Sequence, residues 1–446
     1  MPGRSSAAAS LAVVVTCVAI TSLDGMDLSL LAAVLPDMLE IKQWGMTAIE
    51  AGLVGSLSLV GMMVGATGAG YLSDIVGRRP TGLACIACFS VFTGLCALAP
   101  NLPVFAVLRL LAGLGFGGAL PTAIALTMEY VRRERRQLYN GVIQTGFPLG
   151  GVLIAVLAIF AVPAFGWRAL FAFAGLVGVV LFVVAYRVLP ESLVFLVSRQ
   201  RTDEAARMAE KYAVDSKAES AQALRSKEKV DGLGGTAAIR SLFRPGFRAA
   251  TVLFPLCSFC GLLVAYGMNT WIPQILKASG YAFGSALVFL VAFHSGAAVG
   301  MVVLSGLSDR FGPRVIIPAG FVLGAIGVSV VSFHPAQAVV LVLMVLTGFC
   351  SSSQTALSGF TGVYYPPSMR GTAIGLALGV GRLGGVLGPI LVGAIVGAGM
   401  GVAWVFYAFA VVGLLAAALV VAVPRSGIAG LPAPHVLDAG EASTTR

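Results

Sequence analysis

The stretch Arg136-Gln-Leu-Tyr-Asn-Gly141 is followed by Gly150-Gly-Val-Leu153. The same pattern returns later in the chain as Arg370-Gly-Thr-Ala-Ile-Gly375 followed by Gly384-Gly-Val-Leu387. Every matching residue lies 234 positions before its counterpart. A constant separation over two consecutive stretches indicates that they belong to two copies of one structural unit.

A second pair of motifs supports the duplication. Leu72-Ser-Asp74 with Gly77 corresponds to Leu307-Ser-Asp309 with Gly312, at a separation of 235 positions. Two unrelated helical bundles would rarely keep the same separation in two places. Internal repeats of this kind are typical of secondary transporters, which hold their substrates where the two repeats meet.

The composition is that of a membrane protein. Of the 446 residues, 58% are hydrophobic and 11% are charged, and the mean hydropathy is +0.94. Soluble domains contain roughly 25% charged residues. These values exclude an ordinary soluble enzyme, and they exclude a disordered chain, which requires low hydrophobicity and high charge.

Twelve apolar runs are long enough to cross a bilayer, which requires about 20 residues per helix. They cover approximately 11–38, 49–72, 80–99, 103–130, 138–162, 168–189, 249–272, 283–306, 314–333, 336–360, 371–397 and 401–423. The sequence therefore predicts an all-α membrane protein with 12 transmembrane helices, arranged as two pseudo-symmetric six-helix bundles.

A polar stretch divides the twelve runs into six and six. We predict a first bundle at 1–189, a cytoplasmic linker at 190–248, a second bundle at 249–423 and a polar cytoplasmic tail at 424–446. The linker is rich in Lys, Arg, Glu and Ala, and part of it, between Asp203 and Lys229, is predicted to be helical.

The distribution of positive charge predicts the orientation in the membrane. With the N-terminus inside, 24 of the 29 Lys and Arg residues lie on the cytoplasmic side, and Lys42, Arg168 and Lys277 lie outside. Positive residues concentrate on the cytoplasmic side of membrane proteins. We therefore expect a multi-pass protein of the cytoplasmic (inner) membrane with both termini in the cytoplasm.

Catalytic and metal-binding patterns are missing from the sequence. The seven cysteines lie in apolar runs, and the CxxC pairs Cys85/Cys88 and Cys257/Cys260 have no adjacent His or acidic residue. Buried cysteine usually behaves as a small hydrophobic residue. We expect no enzymatic activity, no metal, no cofactor other than a proton gradient, and no nucleic-acid partner.

Four ionisable residues are candidates for proton coupling, because charges inside a membrane are costly and commonly functional. Asp24 and Asp27 are spaced to share one helix face, so they can exchange a proton near neutral pH. Arg109 and Glu129 lie in the fourth span. The alternatives are a water-facing end cap for the Asp pair and a structural ion pair for Arg109.

Arg382 is the candidate anchor for an anionic substrate. It lies among Gly379, Gly381, Gly384 and Gly385, which leave space around the guanidinium. Arginine keeps its charge and binds carboxylates through a bidentate fork. The alternative is that Arg382 only pairs with an acidic residue of the first span.

Other polar and aromatic residues in the second half are candidates for substrate binding. They can form hydrogen bonds with a planar ligand or stack on it. These candidates are Tyr266, Asn269, Trp271, Gln274 and His294. The alternatives are interfacial anchoring for Trp271 and packing for His294.

The two short turns that contain Asp74 and Asp309 are candidate conformational latches. Each carries acidic and basic residues close together: Asp74, Arg78 and Arg79 in the first half, and Asp309, Arg310 and Arg314 in the second. Exposed ion pairs are individually weak, but a two-state carrier requires only small biases. Glu129 and the basic run 132–136 can belong to the same network; alternatively, the run only sets the topology.

These residues resemble the signatures of the major facilitator superfamily. The turns Asp74–Arg79 and Asp309–Arg314 resemble its loop signature, and Arg109-xxx-Gly113-x-Gly115 resembles its fourth-span signature. Further features resemble the aromatic acid:H+ symporter family within it. They are Asp24-Gly-x-Asp27, Ala125–Tyr130, Tyr266–Gln274 and Arg370-Gly-Thr-Ala-x-Gly with Gly381-Arg-x-Gly-Gly385.

The resemblance implies the major facilitator fold and a function. It implies a proton-coupled symporter that imports an aromatic carboxylate such as a hydroxybenzoate, benzoate, protocatechuate or gentisate, and that requires Asp24, Asp27 and Arg382. We expect the lipid bilayer, protons and the acid as partners, and a monomer. The alternatives are an exporter of drugs or metabolites, a carrier of a non-aromatic organic anion, and a membrane sensor.

Overall fold

The computed structural model describes residues 2–41, 44–131, 136–212 and 240–424. Fifteen helices lie within these ranges. The first eight are α1 (Pro2–Glu40), α2 (Ala48–Val76), α3 (Arg78–Cys96), α4 (Leu102–Tyr130), α5 (Arg136–Phe165), α6 (Trp167–Val188), α7 (Leu193–Ser198) and α8 (Thr202–Tyr212). The others are α9 (Arg248–Ala278), α10 (Phe283–Phe311), α11 (Pro313–Val331), α12 (Gln337–Ser351), α13 (Ser353–Tyr364), α14 (Pro367–Gly397) and α15 (Ala403–Ala422).

Twelve helical stretches in the described chain are long and apolar enough to span a membrane, which confirms the predicted number. One of them, Gln337–Tyr364, consists of α12 and α13, which separate at Ser352. The short helices α7 and α8 occupy the first part of the predicted linker. Residues 213–239 of that linker and 425–446 of the predicted tail lie outside the described residues.

The two halves repeat the same packing, as the sequence duplication predicts. In the N-terminal half (α1–α6), α1 packs on α5, α2 on α4, and α3 on α4 and α6. In the C-terminal half (α9–α15), α9 packs on α14, α10 on α12, and α11 on α12 and α15. Arg79 donates to the carbonyl oxygen of Tyr186, and Arg314 donates to that of Val423. In each half, the third membrane span is thus joined to the end of the sixth.

Close backbone contact joins α1 to α5. A Cβ on Gly150 would collide with the carbonyl oxygen of Ser22, and one on Gly25 would collide with that of Phe147. Small residues permit this approach, and membrane helices associate largely through such packing. The contact fixes the position of the acidic segment of α1.

We expect Gly150→Leu to lower the free energy of unfolding by at least about 2 kcal/mol, because the side chain has no room between α1 and α5. Gly141→Leu is the matched control on α5, since a Cβ there meets no atom within 4 Å. Denaturation of the purified protein in mixed micelles measures both. Equal stability of the two variants would contradict the close contact.

In the described part of the chain, the two halves meet closely at one end of the molecule. We call the end with α7 and α8 the linker end, and the opposite end the closed end. At the closed end, Ser56 Oγ donates to the Val386 carbonyl oxygen at 2.5 Å, and a Cβ on Gly52 would lie 2.6 Å from the Pro389 carbonyl oxygen. Lys277 Nζ lies 2.6 Å from Glu40 Oε1. These contacts join α2 to α14 and α1 to α9.

The facing surfaces of α2 and α14 separate toward the linker end. Gly371, Gly375 and Gly379 continue the face of α14 that packs on α2 at the closed end. A Cβ on any of the three would meet nothing within 4 Å, and all three are exposed. The halves therefore enclose a cleft that opens at the linker end.

Candidate functional site

Asp27 and Arg109 form an ion pair inside the N-terminal half. Arg109 Nη1 donates to Asp27 Oδ1 at 2.7 Å, and both side chains are fully or almost fully buried. Thr93 Oγ1 donates to the same oxygen at 3.1 Å, and the guanidinium lies 5.9 Å from the centre of the Phe171 ring. The pair therefore joins α1 to α3, α4 and α6.

Asp24 points toward the other half of the molecule. Its carboxylate is buried, and Oδ1 has no hydrogen-bond partner within the described ranges. Asp27 and Arg382 are the charged groups that act on it. Tyr266 lies beside Asp24 and Arg382 and packs against Gly385. The structure thus brings Asp24, Tyr266 and Arg382 together where the halves face each other.

Arg382 carries a positive charge that no described residue neutralises by direct contact. Its side chain is half-buried on the α14 face that turns toward α2. Among the residues that the structure describes, Arg382 forms neither an ion pair nor a hydrogen bond. A fixed cation with unoccupied donors in a protein cleft is suited to a carboxylate.

A polar cluster of Ser29, Asn269 and His294 connects the halves on the closed-end side of this site. Ser29 Oγ lies 2.9 Å from His294 Nε2 and donates to Asn269 Oδ1 at 3.4 Å. All three side chains are at most 4% exposed. The His294 ring packs over Gly151, where a Cβ would lie 2.5 Å from Nε2.

Trp271 and Gln274 lie farther along α9. Trp271 is fully buried, and its Nε1 donates to the Pro389 carbonyl oxygen at 3.1 Å. The indole therefore fastens α9 to α14 within the C-terminal half. Gln274 Oε1 is buried without a hydrogen-bond partner in the described part of the chain.

Glu129 lies at the linker end, far from the other three residues predicted to couple protons. It is 20 residues along α4 from Arg109, which is about 30 Å of helix. Arg78 donates to Glu129 Oε1. Ser192 Oγ donates to Glu129 at 2.9 Å, and the backbone N–H of Leu193 donates at 2.7 Å. Glu129 thus binds the start of α7.

In the described ranges, the charged side chains of the first turn, Asp74, Arg78 and Arg79, form no ion pair with one another. Arg78 binds Glu129, and the backbone N–H of Arg79 donates to Glu191 Oε1 at 3.1 Å. Asp74 is exposed and has no ionic partner in the described ranges. In the second turn, Asp309 and Arg310 are exposed, and Arg314 donates to the end of α15.

We expect Glu129→Gln to increase hydrogen exchange at the amide of Leu193 about tenfold, because a neutral amide accepts this hydrogen bond more weakly than a carboxylate. Mass spectrometry of exchanged peptides over 190–198 measures this. Glu204→Gln, in the exposed Arg201–Glu204 pair, should leave exchange at α7 unchanged. Equal exchange in Glu129→Gln and the parent protein would contradict the capping role.

Several contact residues were missed by the sequence reasoning. Thr93 and Ser29 bind the predicted site residues, and Glu40 pairs with Lys277 across the halves. Hydroxyl residues are common in membrane helices, so Thr93 and Ser29 carry no sequence signal. The sequence identifies Lys277 only as a positive residue outside the membrane and does not indicate its partner Glu40.

The fold and these motifs define a class of membrane transporter. The sequence profile of the Major Facilitator Superfamily matches residues 17–306 and 285–434, and the chain belongs to this superfamily. It is therefore a multi-pass membrane transporter and not an enzyme, as predicted.

Three relatives of the chain are named as transporters of aromatic acids. The chain is 33% identical to the gentisate transporter of Corynebacterium glutamicum over 88% of this chain and 83% of that protein. It is 30% identical to the benzoate transport protein of Acinetobacter baylyi, over 83% and 80%. It is 31% identical to the gallate transporter of Pseudomonas putida, over 98% and 96%. The predicted family resemblance is confirmed.

Solved structures support the fold. A bacterial homologue of the human lysosomal transporter Spinster, in an inward-facing and unoccupied conformation, matches with a TM-score of 0.72 and 17% identity over 94% of this chain and 98% of that chain. The xylose transporter of Escherichia coli, in a partially occluded inward-open conformation, matches with a TM-score of 0.71 and 17% identity, over 92% and 98%.

Proposed function

We propose that this protein imports an aromatic carboxylate together with a proton across the cytoplasmic membrane. The observation that supports the proposal is Arg382, a cation in the cleft that forms no ion pair or hydrogen bond with the described residues. It lies beside Asp24 and Tyr266. The names of the relatives support the aromatic class. Arg382 binds the carboxylate, and Tyr266 offers an aromatic surface for the ring.

Asp24 is the proposed proton carrier. An ionised Asp24 neutralises Arg382 and competes with the substrate for it. A protonated Asp24 releases Arg382 to the substrate carboxylate, so the loaded site is again neutral. Because a net charge in the membrane interior is costly, the empty and the fully loaded sites can close, whereas a site with only one of the two ligands resists closure. Arg382 and Asp24 thereby couple substrate and proton one to one.

Asp27 has a different proposed role. Arg109 and Thr93 hold one of its oxygens, so it positions α1 in the N-terminal half. Asp27 is thus proposed as a positioning residue that does not carry the proton.

The linker end is proposed to be cytoplasmic, because positive residues are concentrated there. The cleft in this structure then faces the cytoplasm, and the close contacts of α2 with α14 lie on the outer side. A monomer suffices for transport, since one chain supplies both halves. The substrate site lies near the middle of the bilayer, as in other transporters built from repeats.

Uptake by proteoliposomes tests the proposal. Purified full-length protein is reconstituted, and labelled benzoate, 4-hydroxybenzoate and gentisate are offered with and without an inward proton gradient. We expect gradient-dependent accumulation of at least one acid. Correctly folded protein that accumulates none of them would overturn the proposal, and it would favour an exporter or a carrier of a non-aromatic anion.

A further inference from the structure

The Ser29, Asn269 and His294 cluster lies one layer deeper in the molecule than Arg382 and Asp24. Ser29 is five residues beyond Asp24 on α1, which corresponds to about 7.5 Å toward the closed end. Asn269 is three residues beyond Tyr266 on α9, in the same direction. The cluster therefore lies beyond the carboxylate-binding layer, on the side of the closed end.

One donor of this cluster has no acceptor. Asn269 is 4% exposed, and its Nδ2 has no hydrogen-bond partner among the described residues. A buried donor without a partner is unfavourable. Between the carboxylate-binding layer and the closed end, such an atom is suited to a bound molecule that supplies the acceptor.

The other two side chains supply the complementary groups. Ser29 Oγ donates to Asn269 Oδ1, so His294 Nε2 is the donor in its 2.9 Å contact with Ser29. Nδ1 of a neutral His294 is then left as an acceptor. A hydroxyl group is the small substituent that donates and accepts at once. The depth of the cluster below Asp24 is comparable to the length of a benzene ring with a carboxylate at one end and a hydroxyl at the other.

We propose that Ser29, Asn269 and His294 form a subsite for a ring hydroxyl, so that the transported acids are hydroxylated benzoates rather than benzoate itself. The inference rests on the proposed function, because it assumes that Arg382 holds the carboxylate. A subsite built to bind a hydroxyl rejects the analogue that lacks it, since the buried polar groups are then left without partners.

Paired variants in proteoliposomes test this subsite. Initial uptake rates of labelled 4-hydroxybenzoate, 3,4-dihydroxybenzoate and benzoate are compared for the parent protein, Ser29→Ala and Asn269→Leu. Ser22→Ala and Thr270→Val are the matched controls, because each hydroxyl donates to its own helix, to Val18 and Tyr266 respectively. Ligand-dependent thermal stabilisation in detergent measures binding apart from transport.

The parent protein and the controls are expected to prefer the hydroxylated acids over benzoate. Ser29→Ala and Asn269→Leu are expected to lower this preference about tenfold, with benzoate uptake retained. An equal loss for all acids would overturn the inference and indicate that the cluster only joins the halves. A parent protein that transports benzoate as well as its hydroxylated forms would also overturn it while leaving the proposed function intact. A parent protein that transports no acid would overturn both.

Discussion

Asp27→Asn is expected to destabilise the folded protein by about 3–5 kcal/mol, whereas Asp24→Asn is expected to leave its stability nearly unchanged. Removing the charge of Asp27 leaves the Arg109 guanidinium fully buried without a counter-ion. Arg109 Nε and Nη2 already lack hydrogen-bond partners in the described structure. Asp24 differs because its oxygen Oδ1 binds no protein group and its cationic neighbour Arg382 is half-buried in the cleft.

A double variant distinguishes the loss of the Asp27–Arg109 ion pair from a general effect of substitution in α1. Replacing Asp27 and Arg109 together by asparagine and methionine removes both buried charges, and it should restore most of the lost stability. Denaturation in mixed micelles measures the free energy of unfolding of the single and double variants. Additive losses in the double variant, or equal stability of the two single Asp variants, would contradict the assignment of Asp27 to the structural pair.

The contrast between the two aspartates shows what the sequence alone can resolve. The Asp24-Gly-Met-Asp27 spacing correctly predicts that the two carboxylates are close enough to interact. The spacing does not predict their partners, because these depend on where α4 and α14 lie around α1. A rotation of about 60° between positions i and i+3 is enough to direct one carboxylate into the N-terminal half and the other into the cleft.

The fold was predictable because its signals are repeated and physical. Twelve apolar runs, a polar linker and two sets of motifs at nearly constant separation specify two similar bundles. The contacts of Glu129 and Trp271 were not predictable in the same way. The sequence groups Glu129 with the proton-coupling residues because it is acidic and lies in a span. Its partners Ser192 and Leu193 belong to the start of α7, and the sequence does not show that α7 packs against the end of α4.

The conformation of the cleft also required the structure. The glycines Gly371, Gly375, Gly379 and Gly393 lie on one face of α14, and the sequence does not distinguish among them. Only the packing distinguishes the exposed linker end of this face from the part that contacts α2 near Gly52. The sequence shows which face of α14 can pack closely on α2. How much of that face is in contact in one conformation depends on the tilt between the two halves.

Arg382→Ala is expected to abolish both proton-driven accumulation and exchange of the labelled acid, whereas Asp24→Asn should abolish accumulation and retain exchange. Arg382 supplies the charge that holds the carboxylate, and the loss of two charge-assisted hydrogen bonds lowers affinity about 100-fold or more. Asparagine instead resembles a permanently protonated Asp24, so the substrate still binds but the empty carrier retains an uncompensated positive charge and does not return.

Counterflow measurements distinguish these two variants. Proteoliposomes loaded with unlabelled acid and placed in labelled acid report exchange without a proton gradient, and a pH jump reports accumulation. Arg382→Lys should recover only part of the exchange, because lysine keeps the charge but lacks the fork. Arg201→Ala, at the exposed residue that precedes α8, should retain both activities. Accumulation that persists in Asp24→Asn would show that the proton is carried elsewhere, and exchange that persists in Arg382→Ala would show that the carboxylate binds another group.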